Sequence, residues 1–253
     1  MMNQKNIEKL NYGDIFQLKS KYTRENLPNH YLDWSKKPKT YKIYEDYITK
    51  IKLPEPEFDF ETKFWNILTN RHSTRNFSKT PLSLMDLSLL LFGMQGITRA
   101  FTQFSYRITP SAGGLYPIEI YPVINNVEDL RLGVYHYNIP EHSLELLKVG
   151  DFRKEVADGC LGQKMVFNSA INLIMTAIIE RSKWKYLQRC YRYIYLDCGH
   201  IGQNFYLVAE ALDLGACTVG AIFDDELNKI LELDGLNETA IYVGVVGKKL
   251  QKG

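Results

Sequence analysis

The sequence predicts an α+β domain in which one sheet, mostly antiparallel or mixed, is covered by helices. Strand-like and helix-like segments alternate along the 253 residues without a strict βαβ rhythm and without visible repeats. Residues 170–179 form a nearly continuous apolar run, which is typical of a strand buried on both faces. Residues 193–214 have the periodicity of a long helix. One domain of this class is ordinary for a chain of this length.

The first predicted elements of the domain are two helices. Helical spacing of apolar residues begins at Phe64. A second helix is predicted to follow Ser83, whose hydroxyl suits the capping position, with Asp86 in the first turn. Its apolar run stops near Gly96.

The central and C-terminal parts of the chain supply the predicted strands. Residues 118–124 alternate loosely and are rich in β-branched side chains. Residues 133–137 and 143–149 read as a hairpin around a Pro-Glu-His turn. A short helix with an acidic first turn is expected at 224–233, and a last strand at 240–246.

The predicted long helix has a face that combines apolar and polar side chains. A helical wheel brings five residues together, namely Leu196, His200, Gln203, Leu207 and Leu214.

Residues 1–60 differ from the rest of the chain in being rich in tyrosine and lysine. They end in a segment with Pro54 and Pro56, which favours extended backbone. We therefore divide the chain into an N-terminal arm and linker, 1–60, and a domain, 61–253. The arm is expected to cover the core, and a docking surface for a partner is the alternative.

Composition and charge exclude several classes of protein. The formal charge of +2, from 31 basic and 29 acidic residues, argues against general binding of nucleic acid. The four cysteines show neither CxxC nor metal-like spacing with histidine, so no metal site is expected. No apolar run reaches the length of a membrane span, and the N-terminus lacks the apolar core of a signal peptide. A cytoplasmic protein is therefore expected, without P-loop, Rossmann or serine-hydrolase motifs.

Two segments could bind an anionic or flat ligand. Residues 71–75 place two arginines and a hydroxyl within five positions, a donor set that suits a phosphate. Residues 109–117 contain Gly113 and Gly114, which would let the backbone approach a flat ligand closely. Taken alone, either segment could be an ordinary surface turn.

Three further segments carry side chains or backbone that could take part in chemistry. Residues 217–223 could direct amides at a ring system, or could simply connect two helices. Lys248 and Lys249 follow the last predicted strand and stay tethered to the sheet. Residues 181–192 hold five cations, no acid and three aromatic residues. This last segment could bind nucleic acid, supply a Lys–Tyr pair as a general base, or form a solvated helix start.

The order of these segments resembles the nitroreductase family of FMN enzymes, and within it the SagB-type dehydrogenases. Residues 71–77, RHSTRNF, resemble the phosphate-binding signature of the family. Residues 110–117, PSAGGLYP, are similar to the SagB-type form of its second motif. Residues 197–215 are similar to the long central helix of that subfamily, and residues 31–54 also resemble it. The likeness therefore spans nearly the whole chain.

The resemblance implies a nitroreductase-like fold and a homodimer that holds FMN at the subunit interface. By motif match it implies these cofactor-binding residues: Arg71, His72, Ser73, Arg75, Pro110, Ser111, Ala112, Gly113, Leu115, Gly220, Ala221, Lys248 and Lys249. The first four would lie near the phosphate and ribityl chain, and one of the lysines would close the phosphate site. The 110–115 loop would approach the flavin ring from the other subunit, and the Gly220–Ala221 backbone would face its N5 edge.

The resemblance also implies a reaction. SagB-type dehydrogenases oxidise thiazoline or oxazoline rings in ribosomally made peptides, and their catalytic Lys–Tyr pair matches Lys185 and Tyr186. One member of the pair would take a proton from the α-carbon of the ring while hydride passes to the flavin, which oxygen would reoxidise. We expect Lys183, Arg189 and Arg192 to lower the pKa of this base.

The implied partners are a precursor peptide and a cyclodehydratase, with no role for nucleic acid or membrane. Two other functions stay open. One is a general NAD(P)H-dependent nitro- or quinone reductase on the same fold. The other is a flavin-binding scaffold subunit without turnover, which would contact a cyclodehydratase through residues 1–60.

Overall fold

The computed structural model describes residues 11–28, 30–58, 61–102 and 104–250. Its strands are, in chain order, β1 Thr49–Lys52, β2 Ile97–Ala100, β3 Ser105–Arg107, β4 Ile118–Ile124, β5 Gly133–Asn138, β6 Ser143–Val149, β7 Ile171–Ile178, β8 Leu214–Val219 and β9 Glu238–Lys248. Seven of them form one sheet in the order β1-β6-β5-β4-β7-β9-β8, while β2 and β3 form a separate hairpin. Every neighbouring pair in the sheet is antiparallel, which confirms the predicted α+β class.

The helices that cover the sheet are α1 Tyr12–Lys19, α2 Phe64–Asn70, α3 Leu84–Gln95, α4 Arg153–Gly159, α5 Lys164–Asn168, α6 Ile179–Tyr186, α7 Cys190–Ala211 and α8 Asp224–Leu231. Short 3₁₀ turns lie at Trp34–Lys36, Ala112–Gly114 and Leu187–Arg189. Within the described ranges, no helix combines the length and the apolar character that crossing a bilayer requires.

The predicted cap of α3 is present. The Asp86 N–H donates to Ser83 Oγ at 3.0 Å, and the Ser83 N–H donates to Asp86 Oδ2 at 3.0 Å. This reciprocal capping box satisfies two N–H groups that the first turn of a helix would otherwise leave unpaired. It fixes the start of a helix that packs against α7.

Each face of the sheet packs its own core, because side chains alternate along the strands. One core joins the sheet to α3 and α7, and the other joins it to α4, α5 and α8. Helices α3 and α7 approach closely at Gly93, where a Cβ would lie 2.4 Å from Val208 Cγ2. This glycine is therefore required by packing.

Two sequence predictions are corrected at the C-terminal end of the long helix. Helix α7 ends at Ala211 and not at 214, so Leu214 is the first residue of β8. Residues 217–219, expected in a loop between helices, belong to the same strand. The reason is tertiary: β8 pairs with β9 from Leu214 to Val219, and this pairing outweighs the helical periodicity.

The face of α7 defined by the helical wheel lies on the outer side of the helix. Leu196, His200 and Gln203 are exposed, whereas Ile194 and Ile201 are buried in the core. Leu196 is 59% exposed and its neighbour Tyr195 is 56% exposed, so two large side chains lie together on the surface of α7.

Three short strands were not predicted, namely β1, β2 and β3. Strand β1 pairs with β6, so part of the predicted N-terminal arm extends the central sheet. The division of the chain at residue 60 stays a prediction, and residues 1–10 and 251–253 lie outside the described residues.

Candidate active site

The segment that follows α2 lies along strand β8 at the edge of the sheet. The Thr74 N–H donates to the carbonyl oxygen of Ala216 at 2.8 Å, and Phe77 forms a β-bridge with Lys249. A Cβ on Gly215 would lie 2.6 Å from Thr74 Cγ2, so glycine permits this close approach. The sheet edge therefore holds the 71–75 segment in place.

This segment lines a cavity of ≈ 670 Å³, together with the C-terminal end of β9. His72, Ser73, Arg75 and Lys249 are among its lining residues. Arg71 lies next to it, with Cζ 5.3 Å from the centroid of the Tyr206 ring. We call Arg71, His72, Ser73, Arg75 and Lys249 the basic cluster. Guanidinium groups, an ammonium and a hydroxyl are the donors that suit a phosphate dianion.

The two C-terminal lysines occupy different places. Lys249 pairs with Glu210 at 3.2 Å and with Asp213 at 2.9 Å, beside the basic cluster. Burial lowers the pKa of Lys249, but these two carboxylates outweigh it and raise the pKa overall. Lys248 pairs with Asp86 at 2.9 Å and lines a neighbouring cavity of ≈ 400 Å³. Of the two, Lys249 is the lysine that the structure brings to the 71–75 segment.

A chain of hydroxyl groups leads from the basic cluster across the sheet edge. Ser73 Oγ lies 3.1 Å from Tyr206 Oη, and the N–H of Thr218 donates to Tyr206 Oη at 2.9 Å. Tyr242 Oη donates to Thr218 Oγ1 at 2.5 Å. A Cβ on Gly220 would lie 3.6 Å from the Tyr242 ring. Gly220 and its neighbour Ala221 are exposed, at the far end of this chain.

The loop at residues 110–115 is fixed by a buried carboxylate. Ser111 Oγ donates to Asp197 Oδ2 at 2.5 Å, and the Ala112 N–H donates to Asp197 Oδ1 at 3.1 Å. Asp197 lies on α7 and is 4% exposed. Burial raises its pKa, and the hydrogen bonds from Ser111 and Ala112 oppose that rise. Pro110 is exposed, whereas Leu115 is buried and anchors the end of the loop.

The same loop meets the predicted Lys–Tyr pair within one chain. Gly113 has φ +65°, a left-handed conformation that favours glycine. A Cβ at this position would lie 2.6 Å from Tyr186 Oη and 3.1 Å from Lys185 Nζ. Lys185 and Tyr186, at the end of α6, therefore face the glycine backbone. We call residues 110–115 with Lys185, Tyr186 and Asp197 the glycine-loop cluster.

The expected lowering of the Tyr186 pKa is wrong. Burial, followed by the nearby Tyr193 and Asp197, raises the pKa of Tyr186. Two of the three cations expected to lower it are engaged elsewhere: Arg189 donates to the Ser20 carbonyl oxygen at 2.5 Å, and Arg192 to Ser20 Oγ at 2.9 Å. The basic segment thus holds the N-terminal segment against α7.

The two clusters lie at different points along α7. Asp197 and Tyr206 are about nine residues apart on this helix, which corresponds to about 14 Å along its axis. The outer face of α7 carries Leu196, His200 and Gln203, which are exposed in the single chain. These three residues form an exposed ridge on the helix that joins the two clusters.

Three residues that connect to the basic cluster could not be predicted from the sequence. Tyr206, Thr218 and Tyr242 meet only through tertiary contacts, so no local motif marks them. Asp197 did carry a signal, because its spacing from Ile194 and Ile201 places a carboxylate on the buried face of a helix.

Comparison with known proteins identifies the class of protein that has this fold and these clusters. A sequence model of the nitroreductase family matches residues 68–248, so the chain belongs to the nitroreductase family. A protein of Methanocaldococcus jannaschii named as a nitroreductase is 35% identical over 202 residues, which cover 80% of this chain and 98% of that protein. The trifolitoxin-processing protein TfxB of Rhizobium leguminosarum bv. trifolii is 30% identical over 55% of this chain and 39% of its own length.

Solved structures agree with this assignment. A nitroreductase-type structure from Anabaena variabilis has a TM-score of 0.78 and 28% identity; the match covers 95% of this chain and 48% of that one. A chain of the Escherichia coli microcin synthetase McbBCD complex, solved with truncated pro-MccB17 bound, matches over 99% of both chains with a TM-score of 0.61. At 19% identity, this second likeness shows the fold alone.

Proposed function

We propose that the protein is an FMN-dependent dehydrogenase, which acts as a homodimer and oxidises azoline rings in a ribosomally made peptide. The observation that carries this proposal is the contact between Gly113 and the Lys185–Tyr186 pair. A glycine backbone suits the approach of a flat ring, and the two side chains beside it can exchange a proton with a ring placed there.

The basic cluster supports a phosphate-bearing cofactor. Arg71, Ser73 and Arg75 would bind the phosphate and the polar chain next to it, and Lys249 would close the site. Ion pairs of the described residues engage Lys248 and Lys249 but neither arginine, so both guanidinium groups keep donors for a ligand. Bound FMN would supply a two-electron acceptor that takes hydride at N5 and is reoxidised by oxygen.

The raised pKa of Tyr186 assigns different roles to the two members of the pair. Because the Tyr186 phenol keeps its proton at neutral pH, it would donate a hydrogen bond to the ring nitrogen of the azoline. That hydrogen bond would make the α-carbon proton more acidic. Lys185 would accept this proton as hydride leaves the adjacent carbon and the new C=C bond forms.

The exposed ridge of α7 supports a dimer. Leu196 and its neighbour Tyr195, on α7 next to Asp197, are 59% and 56% exposed. A second copy on this ridge would bury apolar surface and would place clusters from the two subunits on either side of one interface.

Similarity to TfxB supports a peptide as the substrate, because that protein is named for the processing of trifolitoxin. A chain with this fold was solved within the McbBCD complex, so the fold is compatible with a multi-subunit setting. A precursor peptide and a cyclodehydratase are therefore the partners proposed for this chain.

The test is turnover of an azoline-containing peptide by the purified protein loaded with FMN. We expect azole formation, detected as a loss of 2 Da per ring, with oxygen uptake. Lys185→Ala and Tyr186→Phe should each lower kcat while leaving FMN bound. Glu180→Gln, an exposed residue on the same helix, is the matched control.

Two results would contradict the proposal. Rapid NAD(P)H oxidation with nitroaromatics and none with the azoline peptide would favour a general reductase. Unchanged azole formation in both Lys185→Ala and Tyr186→Phe, in a reconstituted system with the cyclodehydratase, would favour a scaffold subunit.

A further inference from the structure

Three charged side chains lie side by side on neighbouring strands, in the interior of the sheet. His136 on β5 donates from Nδ1 to Glu145 on β6 at 2.9 Å, and from Nε2 to Glu119 on β4 at 3.0 Å. His136 and Glu145 are 0% exposed and Glu119 is 1% exposed. Burial lowers the pKa of His136, but the two carboxylates outweigh it and raise the pKa. The imidazole therefore donates from both ring nitrogens, as the protonated form does.

Arg181 follows Glu119 at the end of the buried series Glu145, His136 and Glu119, and it joins three separate segments. Its Nη1 donates to Glu119 Oε1 at 2.5 Å and to the carbonyl oxygen of Tyr116 at 3.0 Å. Its Nε donates to the carbonyl oxygen of Lys39 at 2.8 Å. One guanidinium thus ties α6 to the sheet, to the end of the glycine loop and to the N-terminal segment.

The two attachments of Arg181 bear directly on the glycine-loop cluster. Arg181 lies in the first turn of α6, and Lys185 lies one turn later on the same helix, about 6 Å along the axis. Tyr116 closes the 110–115 loop and has φ +48°, a strained conformation for a residue with a side chain. The hydrogen bond from Arg181 to its carbonyl oxygen helps to hold that conformation.

We propose that Arg181, backed by Glu119 and His136, is the positioning residue that sets the distance between the Gly113 backbone and the Lys185–Tyr186 pair. This inference rests on the proposed function, since it assigns a role within that site. Arg181 is 3% exposed and touches no reacting group, so it acts only through Tyr116 and α6.

The first test measures geometry without any turnover. Brief acetylation of the FMN-loaded protein, followed by peptide mass spectrometry, gives the reaction rate of Lys185 relative to the exposed Lys79. We expect Arg181→Ala to raise this ratio about tenfold, as the loss of a charge-assisted hydrogen bond implies. Millimolar guanidinium chloride should reverse the change, because a cavity of ≈ 480 Å³ lined by Arg181 opens beside the missing group. Sodium chloride at the same ionic strength should not.

The second test measures turnover of the azoline peptide. Arg181→Ala should lower kcat about 10²-fold with KM within about twofold, since a misplacement of an ångström can have such an effect. Guanidinium should restore most of the kcat that Arg181→Ala loses. Glu180→Gln, next to Arg181 but exposed, should match the wild type in both tests.

The variants and readouts keep the two proposals separable. If Arg181→Ala does not fold, Arg181→Lys and Glu119→Gln carry the test, because each weakens the Arg181–Glu119 contact with little change in volume. An unchanged Lys185 ratio in these variants, or a change that guanidinium does not reverse in Arg181→Ala, would overturn the inference. A wild type that never turns over azolines, yet shows the expected Lys185 ratios, would refute the proposed function and leave the positioning role standing.

Discussion

Gly113→Ala, compared with Gly114→Ala, isolates the contact on which the proposed site depends. Both glycines have left-handed backbone, with φ +65° and +64°. A methyl group at Gly113 would lie 2.6 Å from Tyr186 Oη, whereas one at Gly114 meets nothing within 4 Å. The two substitutions therefore impose the same backbone strain and differ only in the contact with Tyr186 and Lys185.

The expected magnitudes follow from that geometry. Placing alanine in left-handed backbone costs about 1–2 kcal/mol, so both variants should lose stability by this amount. Ordinary contact begins at 3.4 Å, so Tyr186 Oη must move by about 0.8 Å in Gly113→Ala alone. Since a misplacement of about 1 Å can lower a rate 10²-fold, kcat should fall by roughly 10- to 100-fold in Gly113→Ala and stay near wild type in Gly114→Ala.

The assay pairs urea denaturation with turnover of an azoline peptide under saturating FMN. The stability loss of Gly114→Ala gives the cost of the backbone strain alone, and any larger loss in Gly113→Ala comes from the displacement of Tyr186. An equal fall of kcat in both variants would refute the role of this contact, because the loss would then come from the loop and not from the Lys185–Tyr186 pair.

Three further predictions address the cofactor, the dimer and the buried charges. Arg75→Gln should weaken FMN binding by roughly 10- to 100-fold, as loss of a charge-assisted hydrogen bond implies, whereas exposed Lys79→Gln should not; fluorescence titration measures both. Leu196→Glu should convert the dimer to monomer in sedimentation analysis, and Leu236→Glu, outside α7 at a site that is 82% exposed, should not. Burial would raise the pKa of Glu119, but Arg181 and His136 hold it at about 2 against an ordinary value of 4.5. This shift corresponds to about 3 kcal/mol of stabilisation of the ionised carboxylate over the protonated form. Because the pKa of Glu119 is lowered in the folded state, its ionised form adds to the free energy of unfolding above pH 4.5, and this contribution is lost as pH falls toward 2. The difference in free energy of unfolding between wild type and Glu119→Gln should therefore narrow between these pH values. A constant difference would contradict this prediction.

Much of the fold can be predicted from local sequence, and the strands that could not be predicted share one cause. The box at Ser83 and Asp86 and the buried run of β7 are encoded by neighbours in the chain, and the structure confirms both. The start of β8 at Leu214 could not be predicted in this way, because pairing with β9 decides it. Strand β1 is hidden for the same reason, since its four residues gain strand structure only against β6.

In the candidate site, too, local motifs could be predicted and effects of tertiary contacts could not. Residues 71–75 and 110–115 carry their signal in short motifs, so their location could be predicted. The pKa of Tyr186 could not be predicted, because Arg189 and Arg192, which are close to it in sequence, turn toward the N-terminal segment. Arg189 donates to a carbonyl oxygen of that segment, so burial controls the Tyr186 pKa. Closeness in sequence therefore does not show which charged groups act on the Tyr186 phenol.

A protonated Tyr186 also constrains how the pair can work. If the phenol were the base, the buried site would have to hold a phenolate beside the Asp197 carboxylate, and both burial and that like charge oppose it. A neutral phenol that donates a hydrogen bond is opposed neither by burial nor by the Asp197 charge. Lys185 lies beside the same glycine backbone and is the other group of the pair that can accept the proton. The geometry around Gly113 therefore favours a lysine that takes the proton and a tyrosine that directs the ring, and the variants Lys185→Ala and Tyr186→Phe should differ in how their rates depend on pH.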